Sequence, residues 1–366
     1  TGTLTLSGEN TYTGRTVVDG GRLLITGSIG GASRDYQAPL VNNGQVELNA
    51  SGTHRLSGSL SGSGAWLNNG TGTWIWSGAN TSTGALTITN GRVVIEEGSG
   101  VPSGDITVPN GTLEFARTSP TTFANRFYIA GTGSAPTFLN NGTGLVTVAP
   151  GNETNIGVDN NEPFTIGGSG DIRVEKSVAS GANASRLTKV GSGTVTLVAS
   201  NNNYSGGTTI SEGILQIGDG TSNGTIGTGL ITITNGRLAF NRPNDYRVVE
   251  TFGRFETDDT PGIENNGAGL LTLDATRFIF APERSELTFG GSGNGLVDGN
   301  IAPGPSLPII RKSGSGTWTL NGTDNNYGPT DIQEGMLEVI GTLGDFAATP
   351  DYTFDIANNG ALKYNP

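Results

Sequence analysis

Internal repetition constrains this chain more than any other feature, because self-similarity at a fixed period marks architectures in which each unit packs on the next. One pattern occurs four times. It begins as Gly2-Thr3-Leu4-Thr5-Leu6, continues through Tyr12-Thr13-Gly14 and Thr16-Val17-Val18, and closes on Gly20-Gly21-Arg22-Leu23. Its second copy opens on Gly72-Thr73-Trp74-Ile75-Trp76, its third on Gly193-Thr194-Val195-Thr196-Leu197, and its fourth on Gly316-Thr317-Trp318-Thr319-Leu320. Starts at 2, 72, 193 and 316 give spacings of 70, 121 and 123. Asn140 through Val148 returns as Asn265 through Leu273, 125 residues later, and Lys189 through Thr194 returns as Lys312 through Thr317. The expected modules are 1–71, 72–192, 193–315 and a truncated 316–366, within one continuous domain spanning 1–366.

A finer unit runs inside each module. Asn-Gly precedes an alternating apolar stretch at Asn43-Gly44, Asn90-Gly91, Asn110-Gly111, Asn235-Gly236 and Asn359-Gly360. Alternation over four to six positions is a strand signal, and Thr, Val and Ile suit a pleated surface because branching at Cβ stiffens them. No segment reads as a helix of ten or more residues. Asn-Gly between strands is ordinarily a hairpin signal, which would give antiparallel sheets. The long-range recurrence argues instead for coils stacked in register, with like residues above like. The expected fold is all-β: a single right-handed parallel β-solenoid (β-helix), an elongated rod. Its hand follows from the right-handed crossover rule. Coils of roughly 20–25 residues would make about 15–18 turns, and a spacing of about 4.8 Å would give a rod of roughly 75–90 Å.

Composition agrees. The 366 residues include 61 Gly, charged residues are 14% and hydrophobic residues 33%, which suits thin cores and many corners better than a compact globule. There is no Cys, so stacked backbone hydrogen bonds must supply what disulfides give many secreted proteins, or the chain crosses a membrane unfolded. A net charge of −12 argues against nucleic acid or anionic lipid as the main partner. No apolar run reaches the length of a transmembrane helix, so direct membrane insertion of this segment is not expected. The first residues, Thr1-Gly2-Thr3-Leu4, do not form a signal peptide, and neither end shows a cap, so the chain reads as a mature piece or a fragment.

The stretch Leu187 through Leu197, followed by Asn203-Tyr204-Ser205-Gly206-Gly207-Thr208-Thr209-Ile210 and Gly213-Ile214-Leu215, resembles the passenger-associated repeat of bacterial autotransporters. The copies at 1–25 and 311–340 match nearly as well. The copy at 72–95 departs, with Thr83 where the aromatic sits and Trp74 and Trp76 in place of aliphatics. The resemblance implies a β-helix passenger displayed on a Gram-negative outer-membrane surface, exported by a separate C-terminal barrel. It also implies adhesion, aggregation or serum resistance as function, with a minority of proteases and esterases.

Residues able to carry catalysis are sparse. The sole histidine, His54, has no Gly-x-Ser-x-Gly nucleophile motif to serve and reads as a solvated loop residue. Glu96-Glu97, Asp258-Asp259 and Asp159 with Glu162 are the carboxylate clusters a polysaccharide-cleaving β-helix would need, and they read as solvated loop charge. Gly167-Gly168-Ser169-Gly170-Asp171 approaches a calcium nonapeptide, but its Asp is one place early and its relative carries Asn294. Zinc lacks ligands, and phosphate cradling lacks a helix and a Lys-Ser/Thr. Trp74, Trp76 and Trp318 align with aliphatic positions and are expected in the core, whereas Trp66 aligns with nothing and is the better surface candidate. Sequons such as Asn141-Gly142-Thr143 and Asn321-Gly322-Thr323 follow from the enrichment in Asn and Thr.

The expected function is therefore a non-catalytic extracellular adhesin passenger, with no catalytic, cofactor or metal residues assigned. Its partner would be a glycan or protein on a host or neighbouring cell, met first at the insertions 150–163 and 241–262. The alternative is a subunit of a filament built by end-to-end stacking, or side-by-side self-association; a polysaccharide-active enzyme is the third reading.

Overall fold

The computed structural model describes residues 2–365 apart from 130–135, 150, 152–154, 159–162, 181–183, 256–261, 275–277, 281–285, 302–307, 323–326 and 341–353. It forms two compact units, Thr1–Ser185 and Arg186–Pro366. The chain is an all-β parallel solenoid. Among the described residues the sole helical element is the 3₁₀ turn Gly31–Ser33.

In the first unit, one sheet runs through nine strands, from Thr3–Leu6 and Arg22–Ile25 to Ser177–Ser180, each in register with the next coil. Its interior line is a ladder of like on like: Leu23, Val46, Trp66, Leu86, Ile106 and Phe127. A second sheet supplies Tyr36, Leu56, Trp76, Ile95 and Phe115. Alternate residues of each strand point inward, and those apolar side chains are fully buried. The spread of apolar positions over short strands thus becomes one continuous core, with the strands of each coil hydrogen-bonded to those of its neighbours.

The second unit repeats the plan. Val195, Leu215, Leu238, Ile263 and Phe289 form one interior line. Val248, Leu273, Val297, Leu320 and Val339 form another.

Each of the four repeats proves to be one coil and the strand that closes upon it. Thr3–Leu6 pairs with Arg22–Ile25, with Leu4 beside Leu23; Trp74 lies beside Val93, Val195 beside Leu215, and Trp318 beside Leu337. The aromatic of the motif has a local task. Tyr204 is buried, and its hydroxyl meets Thr208 Oγ1 at 2.9 Å, at the start of the middle strand Thr208–Ile210. Tyr12 makes the same contact with Thr16 at 3.1 Å.

The Asn-Gly dipeptides do not turn hairpins. Asn43-Gly44, Asn90-Gly91 and Asn235-Gly236 carry the chain around a corner, from one sheet to a strand of the next, and every described strand pairing is parallel. Some corners leave no room for a side chain. A Cβ on Gly84 would fall 1.9 Å from the carbonyl oxygen of Gly64 one coil away, and one on Gly104 would fall 2.5 Å from that of Gly84. Gly84→Ala is therefore expected to destabilise the first unit by about 1–3 kcal/mol, as overpacking does in cores. Urea unfolding followed by circular dichroism would show it, and an unchanged midpoint would mean that the coils can part freely at this corner.

Coil length varies more than expected. Val46, Trp66, Leu86 and Ile106 are 20 residues apart, but Tyr128 stacks on Gly157, 29 residues on. The ladders continue across the longer coil.

Candidate interaction surface

The structure corrects two sequence expectations directly. His54 is no solvated loop residue. It lies on the strand Thr53–Leu56, 2% exposed, stacked flat on Trp74 with ring centroids 4.5 Å apart. The ring nitrogen Nε2 lies 2.8 Å from the Ser51 carbonyl oxygen. Burial, and the nearby Arg34 charge after it, hold the imidazole below its ordinary range against that backbone contact, so it is neutral at physiological pH. Trp66 is not a surface contact either. It is fully buried between Val46 and Leu86, and its ring lies 5.2 Å from that of Trp76. Trp74, Trp76 and Trp318 are in the core, where they were expected.

The period that identifies both is the 20-residue coil. His54-Arg55-Leu56-Ser57-Gly58 precedes Trp74-Ile75-Trp76-Ser77-Gly78 by 20 positions, and the structure pairs His54 with Trp74.

The described carboxylates are engaged rather than simply solvated. Glu96 receives both guanidinium nitrogens of Arg55, at 2.5 and 2.9 Å, across two coils. Glu97 accepts from the backbone amides of Thr118 (3.0 Å) and Ser119 (3.1 Å) and from the Thr118 hydroxyl (3.2 Å). The donors at Ser119, and then at Thr118, hold its carboxyl down to about 2. A carboxylate depressed in the folded state stabilises above its unfolded value and loses that contribution as pH falls through the folded one. Amide exchange at Thr118 and Ser119 is accordingly expected to quicken as pH drops from about 4.5 toward 2, after correction for the intrinsic rate, and Glu97→Gln is expected to abolish this pH dependence. Asp159, Glu162, Asp258 and Asp259 lie outside the described residues, as do parts of the segments 150–163 and 241–262.

Gly167–Asp171 forms a corner over the preceding coil. Gly168 rests on the carbonyl of Asn140, and Asn140 Nδ2 donates to the Asp171 carbonyl at 2.8 Å. Among the described residues no group of three His, Asp or Glu side chains is placed to hold a metal.

What the lateral surface presents is a set of charge pairs joining successive coils. Arg311 bridges Glu286 (2.7 Å) and Asp331 (3.0 Å), and Arg247 reaches Asp274 (2.5 Å) and Asp298 (3.6 Å). Arg22 pairs with Glu47 and Arg92 with Glu114. Each such pair in exposed positions contributes at most about 1 kcal/mol. Their larger effect is to spend charge locally, leaving a surface of hydroxyls, amides and paired ions suited to hydrogen bonding.

The family model described as passenger-associated-transport-repeat matches residues 1–25, 69–95, 187–217 and 310–339. The fold and these four matches are those of a parallel β-solenoid similar to autotransporter passengers, a secreted and surface-exposed kind of protein. The chain is also similar to a protein described as "Adhesin BmaC autotransporter", from Brucella suis biovar 1 (strain 1330), at 30% identity over 207 residues. That similarity covers 54% of this chain and 5% of the length of the Brucella protein. No solved structure matches the chain.

Proposed function

We propose that this chain is an adhesive stretch of an autotransporter passenger, displayed at the bacterial outer-membrane surface, which holds the bacterium to a host or neighbouring cell without chemical turnover. The observation that carries this reading is the similarity to an adhesin over 54% of the chain. The physical mechanism is multivalent. A stack of coils repeats weak polar contacts along its side, and repeated weak contacts become strong once the first has formed. The partner is a glycan or protein on the opposing cell, or another copy of this surface.

Beads coated with the purified chain are expected to adhere to epithelial cells or to clump. The segments 150–163 and 241–262 are not plain insertions, since they carry the laddered strands Asn155–Val158, Tyr246–Val248 and Phe252–Phe255. The variants that test them are therefore substitutions of exposed residues, such as Val249→Asn, expected to lower adherence with the fold intact. Coated beads that bind no better than albumin-coated ones, across several cell types and against one another, would sink the proposal. The end-to-end filament gains no support from the comparisons.

A further inference from the structure

The corner after the strand Arg22–Ile25 is built unlike its neighbours. The next coil makes this turn with Asn49-Ala50-Ser51-Gly52, but here the chain runs out through Ser28–Ile29 and the 3₁₀ turn Gly31–Ser33 before rejoining the sheet at Asp35–Tyr36. Arg34 ends this detour at φ 52 and ψ 27, the only positive φ outside glycine among the described residues. A non-glycine residue in that region is strained, and such strain persists where the surroundings hold it. Here they do: the Arg34 amide donates to the Gly31 carbonyl (3.0 Å), and the Arg34 carbonyl accepts from Arg55 (2.8 Å).

The detour opens a cleft of about 450 Å³ across three coils, lined by Glu9, Ser28, Arg34, Ser51 and His54 among others. This volume is in the range of small-molecule sites. The floor is shaped for the guanidinium. A Cβ on Gly52 would meet Arg34 Nη1 at 2.6 Å, so a glycine is what lets the cation lie there. Unlike the laddered arginines above, Arg34 has no carboxylate partner among the described residues. Under it, His54 is nine-tenths buried and more, neutral, with Nδ1 lacking any partner. Since Nε2 faces a carbonyl and must donate, Nδ1 is an acceptor. Glu9 lies on the other lip, also without a cation.

We infer that this cleft binds a single carboxylated sugar residue, a uronic or sialic type of acid. Arg34 takes the carboxylate through its fork, and Glu9, Ser28 and Ser51 serve the hydroxyls, with the buried His54 ring beneath them as floor. One free cation facing one free anion fits a ligand with a carboxylate at one end and donors at the other. It does not fit a bare phosphate, and the chain's net charge of −12 disfavours a polyanion. The inference stands on the cleft alone and not on the adhesive reading.

The test uses the full chain, titrated at neutral pH by calorimetry and saturation-transfer NMR. The probes are D-glucuronate, D-galacturonate and N-acetylneuraminate, set against glucose, galactose, methyl glucuronate and acetate. At least one sugar acid is expected to bind at least tenfold more tightly than its neutral counterpart. Arg34→Gly, which keeps a residue at ease with positive φ, is expected to weaken that binding at least tenfold without lowering the melting temperature. Arg34→Lys keeps the charge but loses the fork, and is expected to fall between. The inference is overturned if no sugar acid binds, if neutral sugars bind equally, or if folded Arg34→Gly or Arg34→Lys both bind as the parent does. Acetate binding as tightly as the sugar acids would overturn the assignment to a saccharide.

Discussion

Trp66→Ala is expected to destabilise the first unit by about 3–5 kcal/mol, the range for truncating a buried tryptophan in a close-packed core. The indole sits between Val46 and Leu86 in one ladder and against Trp76 across the interior, with no exposed surface. Its removal opens a void touching three coils, and a stack whose members contact only neighbours has no distant part to compensate. Trp66→Phe should be far milder. Trp66 Nε1 is buried without a hydrogen-bond partner, so phenylalanine removes volume and an unsatisfied donor together. Trp318 supplies the contrast, because its Nε1 donates to the Gly290 carbonyl at 2.9 Å, and Trp318→Phe leaves that acceptor orphaned. Urea melts by circular dichroism of the three variants test the ranking. Equal losses for Trp66→Ala and Trp66→Phe would mean that the site collapses around either residue.

The second large effect concerns a charge inside the stack. Lys312 has no exposed surface, and its ammonium donates to the carbonyls of Ser313 (2.7 Å), Gly314 (2.5 Å) and Glu334 (3.0 Å). Lys189 does the same at Val190, Gly191 and Glu212 in the preceding repeat. The glycine over the corner, Gly335 at φ +70, leaves the room: its Cβ would lie 2.8 Å from Lys312 Nζ. Lys312→Met orphans three acceptors at once and is expected to destabilise the second unit by about 2–4 kcal/mol. The position just before the repeat at 69–95 shows a smaller solution, in which Asn68 Nδ2 donates to the Asn90 carbonyl at 2.9 Å. Lys312→Asn should therefore recover part of the loss. The pH dependence carries a sign as well. Burial lowers the Lys312 amine from 10.5 to about 8, so between those values the folded state holds fewer protons than the unfolded one, and stability rises with pH across that window. Lys312→Met should lack this rise; a variant that keeps it would assign the rise to other groups.

The repeats made the fold legible, because Leu4, Trp74, Val195 and Trp318 stand at one position of a recurring pattern and the structure pairs each with the closing strand of its own repeat. The interior of Trp66 and His54 was not legible from those repeats, which recur at 70 and 121–123 residues and skip the coils between. Their inward direction follows from the 20-residue coil, a shorter period carried by residues as different as His54 and Trp74, which an apolar alignment does not join. The buried lysines escaped for another reason. Lys189 and Lys312 were visible as a match, but that a lysine should point inward depends on three carbonyls that only the turned corner brings together. The cleft at Arg34 is further from sequence still, since nothing in the repeat pattern marks the positive φ of Arg34 that shapes it.

A coil of 20 residues and a coil of 29 keep the same step along the stack, because the pitch belongs to the backbone hydrogen bonds. Length is thereby uncoupled from pitch. Lineages can lengthen, shorten or rewrite the outward loops one at a time, under the pressure of whatever recognises them, while the inward residues stay under a different and steadier demand. Such a molecule can change its face without renegotiating its spine.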